Sequence, residues 1–234
     1  MEKIRLSPRL QTIADMVEPC ARIADVGTDH GYLVIRLLQD GKAASAVATD
    51  IRPGPLSRAE ENARAYDVSS LRFCLCDGLD GVSEEEVDTV VIAGMGGENI
   101  AGILARAPWT RNQKRLVLQP MSRPEELRRF LAQNGYGITE ERLTEDAGKL
   151  YSVIRAEGGQ PRSFKEAEYY TGLYDMVSRE PLFGRFLSGL IEKTELALKG
   201  VSRSEREVDI ERAAHLRLIL LQMQEMRELY DKSI

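Results

Sequence analysis

Cysteine is scarce in this chain: Cys20, Cys74 and Cys76 are the three cysteines among 234 residues. So few cysteines exclude a disulfide framework, and their spacing matches no zinc site, so we expect no metal. Cys74 and Cys76 stand two apart in an apolar run, so in a strand they point to the same face and are expected to pack. The chain also lacks an apolar run of membrane-spanning length, and its first ten residues contain no signal-peptide core. These absences predict a cytoplasmic protein that binds no membrane.

Basic residues are also fewer than acidic ones. The chain has 32 Lys and Arg against 37 Asp and Glu, a net charge of −5 at pH 7. This balance argues against a general DNA-coating protein, because nonspecific DNA affinity comes from many phosphate contacts added together. It still permits a local basic rim. The composition, 43% hydrophobic and 29% charged, is that of an ordinary globular protein.

Short apolar runs alternate with amphipathic stretches over the first two thirds of the chain. Strands are predicted near 22–27, 46–51, 71–76, 87–94 and 115–120, and helices near 8–17, 31–40, 55–66, 98–106 and 123–134. This alternation predicts a mostly parallel sheet between helices. Two further strand-like runs, near 137–144 and 150–157, follow each other without a crossover helix. We expect them to form an antiparallel pair at the sheet edge.

The helix-breaking cluster EGGQPRS, at 157–163, marks a predicted boundary. We predict two domains, 1–159 and 160–234. The second contains two long amphipathic segments, which predict a coiled-coil-like α-helical hairpin with Ser202 or Ser204 capping its second helix. The predicted apolar stripe of that helix consists of Val208, Leu216, Ile219, Leu220, Met223 and Met226.

The stretch IADVGTDHGYL reads as a strand that enters a glycine loop and opens a helix. A dinucleotide-binding loop has glycine at its first, third and sixth positions. Counted from Gly27, the third and sixth positions are Asp29 and Tyr32, so this interpretation fails. Asp25, Gly27 and Gly31 instead fit the glycine loop of class I S-adenosylmethionine-dependent methyltransferases. That cofactor carries a sulfonium and an ammonium against one carboxylate, so carboxylates attract it where they would repel a pyrophosphate.

Two further aspartates stand at the predicted carboxyl ends of strands, where open α/β sheets bind ligands. Asp50 ends AVATDI, at a position where an acidic residue can bind both ribose hydroxyls. Asp77 ends the third strand, where an aspartate of this superfamily recognises the adenine amino group and the small neighbour Gly78 leaves room for the ring. The predicted cofactor-binding residues are Asp25, Gly27, Asp29, His30, Gly31, Asp50, Ile51, Asp77, Gly78, Ala93 and Gly94.

The fourth predicted strand ends in AGMGGENI. It lacks the Asn/Asp-Pro-Pro-aromatic motif with which many methyltransferases hold an exocyclic amino group. A ring nitrogen that already offers its lone pair needs no such acceptor, so this open backbone suits a ring nitrogen. A glycine turn required only for helix packing is the alternative, and Asn62 and His30 are equally interpretable as ordinary helix residues. The predicted catalytic residues are Tyr32, Asn62, Gly94, Met95 and Gly96.

The motifs LSPRL, IADVGTDHGYL, DGL, VVIAGMGG and LQP, with the C-terminal hairpin, resemble the bacterial TrmK family over essentially the whole chain. The resemblance implies a class I methyltransferase (Rossmann-like) sheet and methyl transfer from S-adenosylmethionine to N1 of adenine 22 in tRNA. The enzyme would extrude the base and need no strong catalytic base. The tRNA would rest on a basic rim that includes Arg9 and Arg123.

One position departs from the family pattern. Family members commonly have asparagine after LQP, where this chain has Met121, so no role is assigned to that position and a shifted substrate stays open. Two other interpretations of the whole chain also stay open. One is a class I methyltransferase acting on another RNA, a protein or a small molecule. The other is a non-catalytic module that binds the cofactor or an RNA. We expect a monomer with no DNA partner.

Overall fold

A computed structural model describes residues 3–201 and 206–233. The chain divides into two compact units. The first contains Glu140 and the residues before it, together with Thr144–Arg162; the second contains Glu141–Leu143 and the residues from Ser163 onward. The division after Arg162 lies inside the helix-breaking cluster of the sequence. Among the described residues, no helix combines the length and the apolar composition that crossing a membrane requires.

The first unit is built on a twisted sheet. In chain order, the strands of the described residues are β1 (Ala21–Val26), β2 (Ala43–Asp50), β3 (Leu71–Leu75), β4 (Thr89–Gly96), β5 (Arg115–Ser122), β6 (Tyr136–Asp146) and β7 (Lys149–Gly158). The sheet order is β3-β2-β1-β4-β5-β7-β6. The pairs among β1 to β5 are parallel, and β7 runs antiparallel to β5. The predicted fold, a mostly parallel sheet with an antiparallel pair at its edge, is confirmed.

Helices follow most of these strands. In the described residues they are α1 (Pro8–Asp15), α2 (Tyr32–Gln39), α3 (Pro53–Ala65), α4 (Gly97–Arg106), α5 (Pro124–Gln133), α6 (Glu168–Thr171), α7 (Tyr174–Val177), α8 (Phe183–Val201) and α9 (Glu207–Asp231). Local sequence explains several helix starts: proline occupies the first turn of α1, α3 and α5, where it has no helical hydrogen bond to lose. The four-residue helices α6 and α7 were not predicted, because so short a segment has no readable period.

The buried strands send alternate side chains to opposite faces of the sheet. Ile23, Val91 and Val117 pack with residues of α1 and α2, while α4 and α5 pack against each other and against β5. Because β1 to β5 are parallel, their carboxyl ends and the loops that follow all lie along one edge. Every predicted cofactor-binding residue belongs to this edge or to the loop after it.

In the second unit, α8 and α9 pack as the predicted helical hairpin. Its core contains Phe183, Ile219 and Met223, all fully buried. The predicted position of Val208 in the apolar stripe is wrong, because this side chain is 74% exposed. Asp209, one step of about 100° round the helix from Val208, lies on the buried face there together with Ala213. The predicted caps, Ser202 and Ser204, lie outside the described residues.

Candidate active site

The loop between β1 and α2 depends on glycine at both ends. Gly27 and Gly31 have φ of +77° and +70°, a region that side chains disfavour. The N–H groups of Gly27 and Thr28 both donate to the carbonyl of Thr49, at 2.8 and 3.0 Å, which ties the loop to the end of β2. A Cβ on Gly27 would lie 2.1 Å from the terminal carbon of Met95. Glycine therefore lets this loop approach the end of β4 closely.

A cavity of about 640 Å³ opens at this edge of the sheet, between the ends of β1, β2 and β4 and the helix α4. We call it the large cavity. Its volume falls in the range of small-molecule sites. The predicted site residues that line it are Gly27, Asp29, Asp50, Ile51, Asp77, Gly78, Ala93, Gly94 and Met95.

Several carboxylates line the large cavity and make it suited to a cationic ligand. Asp50 is 7% exposed, and its Oδ1 accepts the backbone N–H of Arg52 at 2.7 Å, which fixes its orientation. The exposed Asp77 forms an ion pair with Arg106, 2.9 Å between Oδ1 and Nη2. Asp29 accepts a hydrogen bond from Arg58 at 2.8 Å, and this bond holds the pKa of Asp29 below its ordinary value. All three carboxylates therefore have a defined orientation.

The sequence analysis did not predict that α4 forms one wall of the large cavity. This helix begins directly after the glycines of β4, so one of its faces must lie against the carboxyl edge of the sheet. A three-to-four residue spacing from its start would have identified that face. Gly78 is explained by the same wall, because a Cβ there would lie 2.9 Å from the side chain of Ile103. The α4 residues that line the large cavity are Gly102, Ile103, Arg106, Glu98 and Asn99.

A second cavity, of about 320 Å³, adjoins the first. We call it the small cavity. The two cavities share Gly27, Asp29, Ala93 and Gly94. Gly27 and Gly94 have no side chains, so their part of the shared wall is bare backbone. The other residues that line the small cavity are Arg9, Leu10, Asp25, Thr28, His30, Gly31, Tyr32 and Leu33.

Asp25 is a buried carboxyl group that lines the small cavity. The residue is 7% exposed, and Thr28 Oγ1 donates to Asp25 Oδ2 at 2.5 Å. Burial raises the pKa of Asp25 to about 6, although the bond from Thr28 lowers it. Asp25 was predicted to bind the cofactor, and the structure places it in the small cavity, next to the shared wall.

Two aromatic rings border the same cavity. The rings of His30 and Tyr32 stack with their centroids 5.2 Å apart and their planes 13° from parallel. Tyr32 is 41% exposed, so an open ring face is present beside the cavity. A flat heterocycle can stack on such a face.

Arg9 reaches the small cavity from α1, where it is part of a hydrogen-bonded group. Its Nη1 donates to Oε1 of Gln119 at 2.6 Å, and its Nε lies 3.9 Å from a carboxylate oxygen of Asp146. Gln119 Oε1 also accepts the backbone N–H of Gly94 at 3.2 Å. Sequence analysis placed Arg9 on an outer rim and did not select Gln119, although its position in LQP, beside the end of β4, was a usable signal.

Three predicted residues lie elsewhere. Asn62 lines neither cavity; its Nδ2 donates to the carbonyl of His30 at 2.9 Å and thereby supports the loop. Gly96 also lines neither cavity and is the N-cap of α4. Arg123, the N-cap of α5, forms ion pairs with Glu98, Glu125 and Glu126 at 3.1–3.3 Å. Its positive charge is therefore largely compensated.

The parallel sheet, the glycine loop and the two adjoining cavities define a methyltransferase. Residues 6–154, which contain both cavities, match the family described as "Methyltransferase domain", and the chain belongs to it.

Curated and solved relatives narrow the family further. The tRNA (adenine(22)-N(1))-methyltransferase of Bacillus subtilis is 36% identical over 201 residues, 85% of this chain and 81% of the relative. The crystal structure of Bacillus subtilis TrmK aligns with a TM-score of 0.87 at 28% identity, covering 96% of this chain and 100% of that chain. A Streptococcus pneumoniae protein crystallised with S-adenosyl-L-methionine aligns with a TM-score of 0.79 at 33% identity, covering 92% and 100%. The chain belongs to the TrmK family, as its motifs predicted.

Proposed function

We propose that this protein transfers the methyl group of S-adenosylmethionine to N1 of adenine 22 in tRNA. One observation carries the proposal: two adjoining cavities share Gly27, Asp29, Ala93 and Gly94, and two of these four residues have no side chain. A donor in one cavity and a base in the other would meet where the two cavities adjoin. The enzyme class and the cofactor predicted from the sequence are confirmed by the TrmK relatives.

The large cavity fits the cofactor by size and by the chemistry of its side chains. We assign the ribose hydroxyls to Asp50 and the adenine amino group to Asp77, as the superfamily pattern implies. Asp29 supplies a carboxylate for the ammonium, because its lowered pKa keeps it ionised. Gly27, Ile51, Gly78, Ala93 and Gly94 line the same cavity and complete the proposed cofactor-binding set. His30 and Gly31, which the sequence predicts to bind the cofactor, line the small cavity.

The small cavity suits the extruded adenine. When bound, S-adenosylmethionine supplies a methyl group activated by its positive sulfur. The N1 lone pair forms the new C–N bond as the C–S bond breaks and its electron pair returns to sulfur. No proton moves in this step, but the adenine ring becomes a cation. Asp25 places a negative charge beside that ring, and Tyr32 offers a face for stacking.

We propose two domains. Residues 1–159 carry catalysis, and residues 160–234 form a separate helical hairpin domain. Met95 and Gly96, at the end of β4, shape the backbone next to the shared wall. Arg123 is proposed as a secondary contact for tRNA phosphates, since its three carboxylate partners compete with any phosphate. A tRNA substrate is consistent with a cytoplasmic, monomeric protein that has no DNA partner.

The test uses two unmodified tRNA transcripts that differ only at position 22, adenine in one and guanine in the other. Both are incubated with the protein and S-adenosylmethionine carrying a labelled methyl group. N1-methyladenine blocks Watson–Crick pairing, so reverse transcription stops at the modified base and maps it. We expect label and a stop at position 22 in the adenine transcript alone. Equal labelling of both transcripts would redirect the proposal to another base, and no labelling of any tRNA would refute it.

A further inference from the structure

Gln119 of β5 is a fully buried side chain whose hydrogen-bonding groups are all engaged. Its Oε1 accepts from Arg9 Nη1 at 2.6 Å and from the Gly94 backbone N–H at 3.2 Å. Its Nε2 donates to the carbonyl of Pro120 at 2.9 Å. This arrangement fixes which way the amide points, because the opposite orientation would set its N–H groups against two other donors.

The bond to Gly94 compensates for an irregularity in the sheet. Along the β4–β5 pair, Ala93 stands opposite Gln119 and Met95 opposite Pro120, so Gly94 is an extra residue without a partner in the ladder. Such bulges redirect the backbone and are frequent near active sites. The φ of Gly94 is +81°, and the Gln119 side chain is an acceptor for its N–H. The glutamine side chain therefore holds one side of the wall that the two cavities share.

The bond to Arg9 ties a second element to the same point. Arg9 belongs to α1, and its guanidinium lies between Gln119 and the carboxylate of Asp146. Asp146 is itself bound by the hydroxyl of Ser7, at 2.6 Å, next to the start of α1. One amide oxygen thus sets the position of both a backbone bulge and a cationic side chain of the small cavity.

We propose that Gln119 is a positioning residue for methyl transfer, acting through the Gly94 amide and the Arg9 guanidinium that share its side-chain oxygen. This inference rests on the proposed function of the two cavities. Gln119 also contacts Met121, whose sulfur lies 3.7 Å from Gln119 Nε2. At that distance the thioether is a weak additional acceptor on the donor side of the amide.

The kinetic test compares Gln119→Leu, Arg9→Met and the double variant with the wild type. A misplaced wall lowers the rate of the chemical step more than it changes the binding of either substrate. We expect kcat of Gln119→Leu to fall about 10- to 100-fold. KM for S-adenosylmethionine should stay within about 3-fold of the wild type, because Asp50, Asp77 and α4 line the large cavity away from Gln119. The double variant should be less impaired than the product of the two single losses, because both changes break one shared interaction.

Gln39→Leu is the matched control. Gln39, at the end of α2, likewise accepts a backbone N–H with its side-chain oxygen, from Ile4 at 3.1 Å. This variant loses the same type of hydrogen bond away from both cavities, and its kcat should match that of the wild type.

A readout that needs no activity separates this inference from the proposed function. Amide hydrogen exchange at Gly94, followed by NMR, should accelerate at least 10-fold in Gln119→Leu. It should stay near the wild-type rate in Gln119→Glu, because one oxygen of a protonated carboxyl still accepts from Gly94 and Arg9 while its O–H donates to the Pro120 carbonyl. If Gln119→Leu does not fold, Gln119→Glu and Arg9→Met supply the exchange and kinetic data.

Two results would overturn the inference. One is a Gly94 amide that is equally protected in wild type and Gln119→Leu, or unprotected in Gln119→Glu. The other is a set of variants whose losses in kcat multiply independently. If the wild type methylates no tRNA while Gly94 exchange behaves as expected, the proposed function fails and the hydrogen-bonded arrangement around Gln119 stands.

Discussion

Replacing Asp25 with asparagine is expected to stabilise the protein while it impairs methyl transfer. Asparagine has nearly the same shape, and its oxygen can still accept from Thr28. Burial raises the pKa of Asp25 from its ordinary value of 3.8 to about 6, which corresponds to up to about 3 kcal/mol of unfolding free energy lost when the carboxylate is ionised. The uncharged asparagine removes that cost at neutral pH.

The direction of the pKa shift of Asp25 determines how the free energy of unfolding depends on pH. Since the folded protein holds the proton of Asp25 more tightly than the unfolded chain does, wild-type stability from this group is fully present below pH 3.8. It is lost as the pH rises through about 6. Asp25→Asn lacks this dependence. Its advantage in urea unfolding should therefore be largest and nearly constant above about pH 7, shrink as the pH falls through about 6, and be small at pH 4.

Activity should move in the opposite direction. Asp25→Asn removes the negative charge beside the adenine cation, so we expect kcat to fall about 100-fold or more. In the wild type, kcat/KM, which reports the pKa values of the free enzyme, should rise with pH through about 6 as Asp25 ionises. Thr28→Val is a useful comparison, since it removes the donor to Asp25 but keeps the carboxylate. A pH-independent difference in stability, or an asparagine variant less stable than the wild type at pH 8, would refute this account of Asp25.

Three further outcomes are expected. Asp50→Ala should raise the Kd for S-adenosylmethionine about 10- to 100-fold in calorimetry, with KM for tRNA little changed, because a charged acceptor is lost; an unchanged Kd would remove Asp50 from the site. Gly97→Ala should lower the unfolding free energy by about 2 kcal/mol, since the new Cβ would lie 2.1 Å from the backbone oxygen of Arg123; a wild-type melting temperature would contradict that packing. Arg123→Ala should weaken tRNA binding by less than about 3-fold, and a larger loss in a filter-binding assay would show that its carboxylate partners release it.

The fold was predictable because most strands of the parallel sheet are short apolar runs followed by a helix. The order of those runs determines which residues reach the carboxyl edge. The sequence alone therefore groups Gly27, Asp50 and Asp77 at one site. The error at Val208 has a local origin. The charged Asp209 occupies the buried face at that turn, so a pattern of apolar residues selects its neighbour Val208 instead.

The division of the site into two cavities could not be predicted in the same way. It depends on the bulge at Gly94, and the acceptor for that bulge is a side chain on another strand, Gln119. The contribution of Arg9 depends on how α1 packs against β5, a contact between elements distant in sequence. Periodicity identifies which face of an element is buried, but it does not identify the partner across a cavity.

The decisive measurement is a crystal structure of the protein with S-adenosylhomocysteine and a tRNA containing adenine 22. We expect the adenosine of the cofactor product to lie against Asp50 and Asp77. We expect the extruded adenine in the small cavity, with its N1 facing Gly27 and Gly94. A target base bound elsewhere, or a cofactor product that occupies the small cavity, would refute the assignment of the two cavities.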